Sequence, residues 1–359
     1  MRVLNNQTCV RCINDKTVRH ISFDKDGVCN FCREYERMES KLHDYETLEK
    51  NFRNRIKSEN HKYDAAVGFS GGKDSTYVLH QLVKVYGLKV KSFTLDNGFM
   101  SDEAKRKITA IVNELGVEHE FVALDQKLVK EMYRQIAGKF LSPCMCCAFI
   151  GYAVMINYAS KIDAAVMIHG RSPYQMLRNF SELDNDYFKP FITEGLSENP
   201  QNPAELLQVI ISKIEEFVDE GLAGSIRERF LKDGFENGFR PFVAYFLYHR
   251  YDKDEIIDYL QKNTSWVVES EEEHFDCLIH HGALYIKNIL ARRSHLMPEL
   301  SVMIREGQIS REQALEMAAS SENIDEGLAR QELKEFGKYA GLNSRWMLAK
   351  AKLYGMRWW

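Results

Sequence analysis

Asp64-Ala65-Ala66-Val67-Gly68-Phe69 runs straight into Ser70-Gly71-Gly72-Lys73-Asp74-Ser75, and a helical pattern follows from about Thr76 to Tyr86. A short apolar run closed by glycines reads as a buried strand. Two glycines let the backbone turn tightly and approach an anion, and the N-terminus of the next helix offers unpaired N–H groups and a partial positive charge. Strand, turn and helix together make a phosphate cradle. Lys73 adds a point charge, and the hydroxyls of Ser70 and Ser75 can donate to phosphate oxygens. The loop is not a Walker A loop: Val67 stands where a glycine is required, and Asp74 stands where a serine or threonine would hold magnesium. A carboxylate at that place opposes a phosphate unless a cation lies between them.

Outward from this loop, short apolar runs alternate with amphipathic helical stretches as far as about Arg171. The expected strands are Asp64–Phe69, Val90–Leu95, His119–Ala123 and Ala164–Ile168. Such alternation predicts an α/β fold, a doubly wound parallel sheet with helices on both faces and ligands at the carboxyl ends of the strands. Asp96, which precedes Asn97-Gly98, and Gly170, which precedes Arg171, fall at that edge. They are read as nucleotide or substrate contacts, with ordinary strand-ending turns as the alternative. The chain divides into a cysteine-bearing module at 1–35, a charged linker helix at 36–61, the nucleotide-binding domain at 62–171 and a mostly helical substrate or lid region at 172–359.

Composition bounds the function. With 45% hydrophobic residues in 359, the chain can bury a sizeable core, and a net charge of -4 supplies no global field for nucleic acid. The first residues lack the apolar run of a signal peptide and no stretch reads as a membrane span, so a soluble, cytoplasmic protein is expected. In a reducing compartment, eight cysteines point to metal binding or catalysis rather than disulfides.

The cysteines form two groups. Cys9-Val-Arg-Cys12 and Cys29-Asn-Phe-Cys32 are separated by 16 residues, the spacing of a four-thiolate structural zinc (Zn2+) site. Ser142-Pro143-Cys144-Met145-Cys146-Cys147 enters a helix, a position that lowers a thiol's pKa and favours thiolate. Cys144 and Cys147 have CxxC spacing. If the fold brings Cys277 over the same edge, the three could hold a 4Fe-4S cluster with one open iron or act as catalytic thiols; the alternative is buried thiols and an unrelated Cys277.

The Ser70–Ser75 hexapeptide resembles the signature of the PP-loop ATP pyrophosphatases, the adenine nucleotide alpha hydrolase superfamily with its HUP-like sheet. The resemblance implies ATP cleaved between its α and β phosphates, an adenylated intermediate, and pyrophosphate held by the loop with Lys73, Asp74 and magnesium (Mg2+). Cys144, Cys147 and Cys277 resemble the thiols of the iron-sulfur tRNA thiolation branch. The N-terminal module, together with Asp276-Cys277 and Ile304-Arg305-Glu306-Gly307-Gln308-Ile309-Ser310-Arg311, is most similar to the N-acetyl sugar amidotransferase family. That family implies nitrogen transfer to a sugar-type small molecule in lipopolysaccharide or other surface polysaccharide biosynthesis, with a separate glutaminase delivering ammonia. Two further readings stand beside it: a sulfurtransferase acting on tRNA or a small molecule, and a non-catalytic nucleotide-binding regulator. For tRNA, Arg292-Arg293 with His295 and the tail Arg345 to Trp359 would supply the contacts, though the tail also reads as a packed helix. Ser310 with Gln313 reads as a helix-starting capping box. The oligomeric state is left open.

Overall fold

The computed structural model describes residues 7–18, 20–56, 60–172, 175, 202–268 and 277–354. Asp276, residues 176–201 and the last five residues of the tail lie outside them.

Five parallel strands form one sheet in the order β3-β2-β1-β4-β5: β1 Tyr63–Gly68, β2 Val90–Asp96, β3 Glu118–Ala123, β4 Ala164–His169 and β5 Phe242–Ala244. Side chains alternate across it, as a pleated strand requires. Ala66, Phe93 and Met167 face one apolar layer, whereas Ala65, Val67, Val166 and Ile168 face the other. Both faces are covered, which is why β1 and β4 read as largely apolar runs.

The helices begin with α1 (Asn30–Leu42) and α2 (Tyr45–Arg55); the single linker helix expected at 36–61 is broken at His43 and Asp44. Then follow α3 (Lys73–His80), which continues as a π-turn over Gln81–Val85, α4 (Asp102–Leu115), α5 (Gln126–Met132), the short α6 (Gly138–Phe140) and α7 (Pro143–Ile162). Beyond β4 come α8 (Pro203–Glu215), α9 (Glu220–Asn237), α10 (Lys253–Asn263), α11 (His280–Ala291), α12 (Met297–Arg305), α13 (Arg311–Ser320), α14 (Glu326–Ala340) and α15 (Ser344–Tyr354). Helices α7, α8 and α9 pack through Ile150, Ala153, Leu207, Ile211 and Phe230 on the first face. Helices α2, α3, α4 and α10 pack through Phe52, Leu79, Ile108 and Leu260 on the second.

Two findings correct the sequence reading, and a third agrees with the reading of the tail as a packed helix. The fifth strand, three residues long, comes from the region read as helical. Among the described residues, α7 is long and apolar enough to cross a membrane by length and composition, where no such stretch was expected; most of it is buried in the molecule's own core. The tail helix α15 buries Met347, Leu348 and Ala351 and leaves Trp346 exposed, so it packs as a helix of the core. The capping box at Ser310 is formed, with both of its hydrogen bonds.

The cysteine module meets a segment nearly three hundred residues away. Ile13 N donates to Ser301 Oγ at 3.3 Å, Ser301 Oγ donates to Asn14 Oδ1 at 2.9 Å, and Arg311 Nε donates to the Cys12 carbonyl at 3.3 Å. Ile13 is buried with Leu300, Ala314 and Ala318. The cysteine module therefore uses α12 and α13 as the core that it is too small to build for itself.

Candidate functional site

At the carboxyl end of the central strand the chain turns through Gly71, whose φ is +79°, and α3 starts at Lys73 with Gly72 as its N-cap. A β-carbon at Gly71 would lie 2.8 Å from Ile108 Cγ1. Left-handed backbone and lack of room act together, so Gly71→Ala is expected to destabilise the fold by about 1–3 kcal/mol, read as a lowered thermal midpoint. Ser75 closes the turn: its Oγ accepts from Ser70 N at 3.3 Å, meets Ser70 Oγ at 3.1 Å and donates to the Gly72 carbonyl at 3.1 Å. The two hydroxyls read as phosphate donors thus sit side by side at the helix N-terminus.

Lys73 and Asp74 form an ion pair whose side chains are only 13% and 17% exposed. Tyr251, on the arm between β5 and α10, completes the group. Lys73 Nζ donates to its hydroxyl at 2.7 Å, and that hydroxyl donates to Asp74 Oδ1 at 3.1 Å. Sequence reasoning missed Tyr251, because nothing in its local pattern marks it.

The other two edge residues lie at the strand ends where they were expected, and each has a structural task. Asp96 pairs with Lys105 Nζ at 2.8 Å and accepts from Gly98 N at 3.0 Å. Gly170 lets the end of β4 close on α3, since a β-carbon there would stand 3.0 Å from the Asp74 carbonyl oxygen. Next to it, His169 is buried, accepts from Arg171 N through Nδ1 at 3.3 Å, and has no hydrogen-bond partner at Nε2 among the described residues. Burial first, and then the Arg171 charge, lower its pKa to about 3, so it stays neutral.

The loop that leaves β2 carries the second cysteine group. Asn97 Nδ2 donates to Cys147 Sγ at 3.6 Å, Leu278 N donates to the Phe99 carbonyl at 2.8 Å, and Met100 bridges Cys277 in antiparallel fashion. Cys147 Sγ also shares a hydrogen bond of 2.8 Å with the Tyr133 hydroxyl. Cys144, Cys147 and Cys277 are close enough for the charges of the other two to act on Cys147. The expectation of a lowered pKa is corrected for Cys147: burial outweighs the helix terminus and pushes the thiol up to about 12, and the fully buried Cys146 is raised as well. None of the eight cysteines is in a disulfide.

The four N-terminal cysteines are buried, and among the described residues theirs is the group of potential metal ligands whose donor atoms all lie within 4.8 Å of one another. Cys9 Sγ and Cys32 Sγ are 3.9 Å apart, and Cys12 Sγ and Cys29 Sγ 3.7 Å. Backbone N–H groups of Arg11 and Cys29 donate to Cys9 Sγ at 3.4 and 3.2 Å. Arg305 Nη1 donates to Cys32 Sγ at 3.7 Å. The gathered sulfurs share protons through hydrogen bonds among themselves, so Cys9 and Cys32 are lowered while Cys12 and Cys29 are raised. Four buried sulfurs gathered in this way could hold a metal ion.

No protein-family profile matches the chain. Over 109 residues, 30% of its length, it is 31% identical to an uncharacterized protein of Methanocaldococcus jannaschii, and the match spans 40% of that relative. Among solved structures it is similar to the U34-tRNA thiolase NcsA of Methanococcus maripaludis with its 4Fe-4S cluster, at 17% identity over 72% of this chain and 83% of that one, with a TM-score of 0.31. It is also similar to an NH3-dependent NAD synthetase of Campylobacter jejuni, at 13% identity over 56% of this chain and 95% of that one, again with a TM-score of 0.31.

Proposed function

We propose that this chain is an ATP-dependent enzyme of the PP-loop type that adenylates a carbonyl or amide oxygen of its acceptor and then replaces that oxygen with sulfur. In the first step the acceptor oxygen attacks the α-phosphorus, an O–P bond forms, and the bond to the β-phosphate oxygen breaks to release pyrophosphate. In the second, hydrosulfide forms a C–S bond, the C–O bond breaks, AMP leaves with its electron pair, and the proton from sulfur passes to solvent. The loop N–H groups, Ser70, Ser75 and Lys73 hold phosphate and neutralise developing charge. Asp74, a carboxylate inside a phosphate cradle, fits a magnesium ion shared with the phosphates.

The observation that carries the sulfur assignment is the loop from Asp96 to Met100. It leaves the nucleotide edge of the sheet and holds both Cys147 and Cys277. Cys144, Cys147 and Cys277 are the residues that would hold a cluster, and a cluster with one open iron supplies a place to bind sulfide. Tyr133 and Asn97, both hydrogen-bonded to Cys147 Sγ, orient that sulfur.

At the N-terminal site we assign zinc. Tetrahedral ligands at the usual Zn–S length of about 2.3 Å stand about 3.8 Å apart, which the 3.9 and 3.7 Å sulfur separations match. An iron-sulfur cluster spreads its cysteine sulfurs wider.

A second reading, nitrogen transfer to an N-acetyl sugar with ammonia from a partner glutaminase, is favoured by one observation. The segments that carry that resemblance pack against each other, through Arg305 on Cys32 and Arg311 on Cys12. Elemental analysis of protein purified without oxygen separates the two. Sulfur transfer predicts iron and acid-labile sulfide beside about one zinc per chain, with the iron lost in Cys144→Ala, Cys147→Ala and Cys277→Ala. Zinc alone, under conditions that preserve clusters, would refute the cluster-based reading and leave nitrogen transfer.

A further inference from the structure

We infer that Tyr251 is a positioning residue of the nucleotide site, and that the arm bearing it is set in place by Gln308. This rests on the reading of Ser70–Ser75 as the ATP loop. Lys73 and Asp74 both stand at the start of α3, one residue apart, and a lysine on a four-carbon stem is a mobile point charge. Tyr251 removes that freedom. Its hydroxyl accepts from Lys73 at 2.7 Å and donates to Asp74 at 3.1 Å, so ammonium, phenol and carboxylate form a closed triangle. An ammonium has three donors, so Lys73 can keep both partners and still direct one N–H to a phosphate. The triangle therefore prepares the cation instead of competing for it.

Tyr251 is itself held from the far end of the chain. Gln308 Nε2 donates to the Tyr251 carbonyl at 2.6 Å, and Phe246 meets the Tyr251 ring edge-on at 4.9 Å between centroids. Gln308 lies between Arg305, which touches Cys32, and Arg311, which touches Cys12. A continuous set of contacts thus runs from the metal module through residues 305–311 to the phosphate loop. Nothing in the motif alone requires it.

The test is binding of Mg·ATP and of pyrophosphate by calorimetry to the full chain, as wild type, Lys73→Ala, Tyr251→Phe, Gln308→Ala and the double variant Tyr251→Phe/Gln308→Ala, with melting curves for each. Tyr251→Phe keeps the ring and removes only the hydroxyl. It should weaken both ligands by at least about tenfold at an unchanged melting temperature, because a hydrogen bond to a charged group is lost. Gln308→Ala should weaken them less, and the double variant should be no worse than Tyr251→Phe, because the two act in series. A Tyr251→Phe affinity within about twofold of wild type, with Lys73→Ala abolishing binding, would overturn the inference and leave the nucleotide reading intact. Equal affinities in wild type and Lys73→Ala would overturn the nucleotide reading, and this inference with it.

Discussion

Lys73→Ala should lower adenylation, followed as exchange of labelled pyrophosphate into ATP, by about 10²- to 10³-fold, with the fold intact. The magnitude is that of removing one preorganised charge donor from a developing oxyanion. Its stability cost is small because Lys73 makes its polar contacts within the site, to Asp74 and Tyr251, and stands at the first position of a helix. Loss of the lysine also leaves the Asp74 carboxylate without its ion-pair partner. An exchange rate within about threefold of wild type would remove the loop from the chemistry.

Cys12→Ser should release the N-terminal metal and unfold the module. Stripping the metal from the wild type with a strong chelator should do the same. Structural zinc contributes of order 10 kcal/mol to the folding of such modules, far more than the few apolar side chains around this one can replace. The site magnifies the loss, since Cys9, Cys29 and Cys32 would be left as buried sulfurs gathered for an ion that is gone. The damage should travel. Ile13, Asn14 and the Cys12 carbonyl hold Ser301 and Arg311, so α12 and α13 should become protease-sensitive along with the module. A variant that lost its zinc yet resisted proteolysis at residues 7–32 and 297–320 would show the metal to be dispensable for folding.

Much of this was legible in the sequence, for local reasons. Four of the five strands fell within a residue of their predicted limits, β1 and β4 as largely apolar runs closed by turns. The Ser70–Ser75 turn and the paired CxxC knuckles are motifs whose geometry is set by neighbours in the chain. What escaped is what only distance creates. Phe242–Ala244 is too short to show a period, and it becomes a strand because β4 offers it an edge. Tyr251 reaches Asp74 across 177 positions, and no local pattern foretells that. The thiols at 144 and 147 were visible as a CxxC, but the acidity of Cys147 was misjudged: a helix terminus acts on a sulfur locally, whereas burial depends on everything packed around it. For Cys147, burial prevails.

The late arrival of β5 imposes an order on synthesis. A nascent chain that has emerged as far as Ile168 holds four strands of the sheet, with the backbone edge of β4 unpaired and its buried face waiting for Phe242, Val243 and the helices α8 and α9. Such an edge templates association with other chains. The cysteine module, made before the sheet, waits longer still, because its supporting helices end at Ser320. Assembly therefore joins residues 12–14 to residues 300–318, which are far apart in the chain. Early capture of metal by the four cysteines is the step that would keep the N-terminal knuckles in shape until the rest of the chain appears.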